Sequence, residues 1–210
     1  MFATIFVPNL YLQAALRHQL PHQSTVVSAA GAAGTLSASQ TDSSRGEPAF
    51  LNSPDEMLQP VGLIDEKENK PLIIQLNPAA EAAGVYKGMT PSQGLARCLT
   101  LLITTRSPSQ EKSMQEIVLH YAFSLSPYVE ATGPGIYTLQ FTNDRELSRK
   151  VSRVIDQLAA SEITAQAGLA QTPDTSFLAA YLAHPVLEIK DPNKFLAPLP
   201  IDTLAIPWQF

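Results

Sequence analysis

The sequence predicts an α+β fold in which two amphipathic helices cover one face of a mostly antiparallel sheet. Three observations lead there. Short apolar or β-branched runs recur along the chain, two longer segments place apolar residues at helical spacing, and strands and helices alternate without a simple repeat. The 210 residues, 45% hydrophobic and 16% charged, suffice for a substantial core, as one large domain or two small ones.

The first element is "FATIFV" (residues 2–7), a nearly continuous apolar run of the kind a buried strand shows. Leu10, Ala14 and Leu16 then begin a helical face. Between about residues 20 and 59 the pattern collapses into small, polar, aperiodic sequence, too long for an ordinary loop, and the expectation is a mobile insertion. "PVGLID" (60–65) and "PLIIQLN" (71–77) follow as two hairpin strands around the polar turn "EKENK". An alanine-rich helical turn ends at Gly84, and Thr90 followed by Pro91 restarts a helix as cap and first residue. "LTLLITTR" (99–106) reads as a strand. Ser107 and Gln110 form a candidate capping box, ahead of Met114, Ile117, Val118, Tyr121, Ala122 and Leu125 at helical spacing.

"SPYVEATGPGIYTLQFT" (126–142) is extended, yet Gly-Pro-Gly interrupts it. Proline removes a ladder donor and glycine weakens pairing, so the triplet marks a bulge, an edge or a close backbone approach. Asn143 and Glu146 suggest another capping box before Leu147, Val151, Val154, Ile155 and Leu158, the stripe of the second amphipathic helix. "ITAQAGLA" (163–170) is expected as the last strand, and Thr172 with Pro173 caps a helix carrying Phe177, Leu178, Tyr181 and Leu182. The remaining tail is proline-rich and holds only short elements.

Composition narrows the chemistry. The single cysteine, Cys98, excludes an internal disulfide framework and sits among leucines as a buried small side chain. No apolar run reaches the ~20 residues of a membrane span, and the N-terminus lacks a basic leader, so a cytoplasmic location and no membrane contact are expected. The net charge of −5 offers no general attraction to phosphate. Arg145, Arg149, Lys150 and Arg153 gather on one helix as a solvated face, or as a weak contact for DNA or a partner. Asp65, Glu66 and Glu68 read as a solvated turn rather than a metal site. His18 and His22 stand four apart, but Pro21 interrupts their helix and no third ligand is near. His120 and His184 are assigned to structure.

Several strings, in order, resemble the N-terminal palm and fingers of the Y-family translesion DNA polymerases. "IFVPNLYLQAAL" is similar to the family's first strand and "PLIIQLNPAAEAAGVYKGMTPSQGLARCL" to its fingers segment. "SPYVEATGPGIYTLQFT" resembles the strand pair bearing the catalytic acids, and "FLAPLPIDTLAIP" the passage into the thumb. The resemblance implies a ferredoxin-like palm from residues 1–76 and 100–185, interrupted by the insertion at about 20–59. Residues 77–99 would be a small helical fingers subdomain and 186–210 a tail leading toward an absent thumb.

The resemblance also implies two divalent metals held by hard oxygen ligands. Here the first-strand acid falls on Pro8, the second on Leu10, and the acidic hairpin motif on the stretch ending in Gly135 and Ile136. The triphosphate-binding Tyr and Arg of the fingers fall on Pro78 and Glu81. The pattern is similar to the ImuB-like subgroup, and its implication is a chain that is not an enzyme, with no metal, no cofactor and no catalytic residue. Such an adaptor serves DNA damage tolerance beside a recombinase-like partner, an error-prone polymerase and a sliding clamp, the last reached through regions missing here. DNA binding by this chain alone is expected to be weak or absent. The alternatives are a divergent active translesion polymerase and an unrelated interaction module on a polymerase-derived fold.

Overall fold

The computed structural model describes residues 1–17, 59–65, 70–142 and 146–204. The expected insertion therefore lies almost wholly outside the described residues, as do Asn143, Arg145 and the turn at 66–69. Eight strands among the described residues form two sheets. The larger takes β1 (Phe2–Phe6), β5 (Val129–Gly133), β6 (Ile136–Gln140), β7 (Gln166–Ala170) and β8 (Val186–Glu188), in the order β5-β6-β1-β7-β8. All neighbours in it are antiparallel except β7 and β8. The smaller takes β2 (Val61–Ile64), β3 (Ile73–Leu76) and β4 (Leu102–Thr105), with β2 central, antiparallel to β3 and parallel to β4.

The side chains of β1 alternate between two packed faces, as a period of two requires. Ala3, Ile5 and Val7 join the main core with Met114, Val118 and Ala122 of α4 (Pro108–Leu125) and Val151, Val154, Ile155 and Leu158 of α5 (Leu147–Ala160). These are the two amphipathic helices expected from the sequence. On the opposite face lies α6 (Pro173–Leu182), across β1 and β7. There Thr4 meets Ser176, hydroxyl to hydroxyl at 2.7 Å, and Phe6 packs against Phe177 and Tyr181. Gly168 of β7 touches the α6 backbone at Ser176 and Ala180, leaving no room for a Cβ.

The small sheet has its own core. Ile64, Ile73, Leu76 and Leu101 pack with Ala80 and Val85 around α2 (Pro78–Ala82), and Cys98, which follows α3 (Pro91–Arg97), is buried among them. The helix α1 (Leu10–Leu16) serves both sheets: Leu10 and Ala14 enter the main core, while Leu12 and Ala15 pack on Val61 and Leu63. Burial of opposite sides of one helix holds the two sheets together.

Local signals were met unevenly. Thr90 forms the full reciprocal box with Gln93, and Thr172 caps α6 through the Thr175 amide. Ser107 makes no side-chain cap bond, so the expected box with Gln110 is not formed. Glu146 caps α5 by position without a side-chain bond. The strand at 166–170 is not the last, because β8 adds to its edge in parallel, followed by α7 (Pro192–Leu196) and a 3-10 turn at Ile201–Leu204.

Candidate functional site

The end of β1 meets the turn between β5 and β6. Phe6 is paired with Ile136, and the Val7 amide donates to the Gly135 carbonyl at 2.8 Å. Pro134 followed by Gly135 at φ +74° is the residue order a type II turn demands, and the ladder shifts register between Ala131 and Gly133. Gly-Pro-Gly is thus at once a hairpin turn, a ladder irregularity and a close approach. A Cβ on Gly135 would stand 2.8 Å from the Val7 carbonyl oxygen and 3.3 Å from Leu10 Cβ.

Pro8 continues from Val7 and is half-buried, and Leu10 is 2% exposed. The Pro8 carbonyl accepts from Gln13 Nε2 at 2.7 Å, and the same Gln13 amide exchanges hydrogen bonds with Thr164. Between them Asn9 adopts a left-handed conformation, φ 49°, and its Nδ2 donates to the Leu76 carbonyl at 2.9 Å. Leu76 ends β3 and leads, through the N-cap Asn77, into α2 with its exposed Pro78 and Glu81. The structure therefore gathers Pro8, Leu10, Gly135 and Ile136 at one junction and ties it to the segment before Pro78.

The divalent ions implied by the resemblance do not fit this junction. Such ions take carboxylate or carbonyl oxygens, and the side chains of Val7, Pro8, Leu10, Gly135 and Ile136 supply none. Among the described residues no group of three His, Cys, Asp or Glu is placed to hold a metal. His18, His22, Glu66 and Glu68 lie outside the described residues.

Asp65, read from the sequence as part of a solvated turn, accepts from Arg106 at 3.3 Å. Arg106 also forks onto Glu111 at 2.8 and 2.7 Å, and its guanidinium lies 3.9 Å over the Tyr11 ring. The hydrogen bond to Glu111, foremost among its causes, holds the Arg106 pKa above the usual arginine value, against the opposing effect of burial. Sequence reasoning missed this cluster; its signal was an arginine ending a strand five residues before an acid in the next helix's first turn. On α5, Arg149, Lys150 and Arg153 are exposed, and Arg149 pairs with Glu146 at 2.6 Å. Surface pairs of that kind contribute ~0–1 kcal/mol. No described helix is long and apolar enough to cross a membrane.

A family model described as the impB/mucB/samB family matches residues 51–181. No curated protein matches the chain in sequence. Among solved structures, the post-insertion binary complex of Dbh DNA polymerase superposes with a TM-score of 0.68 at 16% identity, over 96% of this chain and 52% of that one. DinB from Sulfolobus solfataricus gives 0.69 at 13% identity, over 97% and 53%. The insertion ternary complex of Dbh DNA polymerase gives 0.67 at 12%, over 97% and 53%. The chain spans about half the length of these structures. The fold is that of the palm and fingers region. The matches overturn the expectation that the chain is not an enzyme, because the fold it shares is carried by DNA polymerases.

Proposed function

The chain belongs to the impB/mucB/samB family, and from that membership we propose that it works in DNA damage tolerance as a polymerase-shaped adaptor, most like the ImuB-like subgroup. The observation that carries this reading is the backbone contact between Val7 and Gly135. A carboxylate at position 135 would need a Cβ only 2.8 Å from the Val7 carbonyl oxygen, closer than such contacts come without a shift, so the junction favours closing β1 onto the hairpin. What such a shape offers is rigid surface. In this reading it brings together a recombinase-like partner, an error-prone polymerase and a sliding clamp, in part through regions beyond the half-length shared with the matched structures.

A second reading, nucleotidyl transfer by a divergent translesion polymerase, is favoured by the polymerases whose fold it shares. It requires metal-binding carboxylates brought to the junction from elsewhere in the protein. One experiment separates the readings: damage-induced mutation frequency in cells lacking the gene, with and without complementation by the wild type, beside primer extension by the purified full protein with and without Mg²⁺. The adaptor reading expects mutagenesis to fall on deletion and to be restored by the wild type, with no metal-dependent extension. Metal-dependent extension by the full protein would transfer the assignment to catalysis. A deletion without effect on mutagenesis would leave an interaction module unrelated to damage tolerance.

A further inference from the structure

The larger sheet ends at β5, which among the described residues has β6 as its only strand neighbour. The Gln140 amide donates to the Tyr128 carbonyl at 3.0 Å, and the ladder continues with Val129 opposite Leu139 and Glu130 opposite Thr138. Bonded and non-bonded pairs alternate in an antiparallel ladder, so Tyr128 and Glu130 turn their backbone groups toward β6 while Val129 and Ala131 turn theirs outward. That edge is half of a further ladder.

Native sheet edges are commonly blunted by lysine, proline or a bulge. Here the register shift comes only at the Gly133 end, and residues 129–132 hold neither lysine nor proline. Glu130, Ala131 and Thr132 are exposed, as are Tyr128 at 64% and Phe123, near the end of α4, at 52%. Charge decides what covers such an edge. In a chain of net −5, Glu130 is the single Asp, Glu, Lys or Arg between residues 117 and 143. A strongly charged partner finds little complement there, whereas a second copy brings an equally uncharged surface. Twofold symmetry also sets a strand antiparallel to its own copy. With Ala131 on the axis, each Glu130 stands opposite the Thr132 of the other copy, and like charges do not face each other.

We propose that two copies of this chain pair β5 to β5 about a twofold axis at Ala131, joining their larger sheets into one continuous sheet. Tyr128 and Phe123 of both copies then flank the seam. The inference concerns how the chain assembles and rests on neither reading of the junction.

Sedimentation equilibrium of the purified chain over a concentration series tests it. The wild type is expected to pass from monomer to dimer as concentration rises. Ala131→Pro removes the outward amide at the axis, where an edge strand tolerates proline, and Ala131→Lys sets two cations opposite each other. Each should remain monomeric at concentrations where the wild type is half dimer, with thermal melting to show that the variant is folded. Ala131→Cys gives a second measurement. The Cα atoms of a bonded pair lie ~5.5 Å apart, within disulfide reach, so mild oxidation should link two copies there. Leu99→Cys, at a position 90% exposed in the turn before β4, should not be linked. The inference is overturned by a wild type that stays monomeric at its highest soluble concentration, by a dimer that folded Ala131→Pro and Ala131→Lys both retain, or by oxidation that links Leu99→Cys as readily as Ala131→Cys.

Discussion

Arg106 grips Glu111 through two parallel N–H···O bonds of 2.8 and 2.7 Å, and the Glu111 side chain is only 7% exposed. The fork joins the end of β4 to the first turn of α4, while Asp65 and the Tyr11 ring bring in the end of β2 and α1. Removing the cation strands a buried carboxylate, whose cost is about 3–5 kcal/mol. Arg106→Ala should therefore lower the urea unfolding free energy by that order, and Arg106→Lys, which cannot fork, should recover only part of it. A loss under about 1 kcal/mol for Arg106→Ala would show the pair to be unimportant.

Gly135 and Gly133 flank the same proline and should respond differently to alanine. Gly135 is left-handed and its added methyl would press on the Val7 carbonyl, so the conformational cost of about 1–2 kcal/mol is compounded by a clash. Gly133→Ala meets only Ile136 Cδ1 at 3.4 Å, an ordinary contact. Denaturation midpoints should fall clearly for Gly135→Ala and little for Gly133→Ala; equal shifts would contradict the assigned turn.

Burial pushes the Tyr137 hydroxyl up to about 12. The native state thus retains a proton that the unfolded chain releases near pH ~10. Its contribution is complete below the unfolded value and is lost as pH rises through the folded one, so stability should decline between about pH 10 and 12. Tyr137→Phe should flatten that decline in a pH series of thermal melts. A slope unchanged by the substitution would assign it to other groups.

Thr90 and Ser107 occupy the same helical position with different consequences. Thr90→Ala forfeits a complete box and should cost about 1 kcal/mol. Ser107 makes no cap bond and meets only Ser109 Oγ at 3.4 Å, so Ser107→Ala should stay within about 0.5 kcal/mol. Chemical denaturation resolves the difference.

What the sequence made legible was local. The stripes Met114–Val118–Ala122 and Val151–Val154–Leu158 report a buried helical face because neighbouring turns of one segment carry the pattern. Gly-Pro-Gly announced an exceptional backbone, and the likeness of "IFVPN" and "GPGIY" to two parts of one site anticipated the meeting of β1 with the hairpin. The division into two sheets was not legible. Ile73 and Ile136 begin strands of similar character, and which partner each takes depends on contacts distant in sequence. β8 escaped for the same reason: Val186–Glu188 is three residues long and becomes a strand only because β7 offers an edge. The spacing of Arg106 and Glu111 hinted at the fork but shows no direction for a side chain at a strand end, so the fork went unread.

The central place of β1 has a consequence for the order in which the chain assembles. Thr4 and Thr138, hydroxyls 3.5 Å apart, are separated by 134 residues, and β1 has no neighbour in its sheet until β6 and β7 exist. On a ribosome β1 emerges before its partners and must wait with both edges unpaired, while β2, β3 and β4, drawn from residues 61–105, can already pair with one another. Closing so long a loop is the slow step, since its entropy is lost before any pairing compensates. Pulse-labelled hydrogen exchange during refolding should protect Leu63 and Ile73 before Ile5, and simultaneous protection would mean that both sheets form in one cooperative event. Through that interval β1 is an apolar strand awaiting its partners, which leaves it exposed to mispairing.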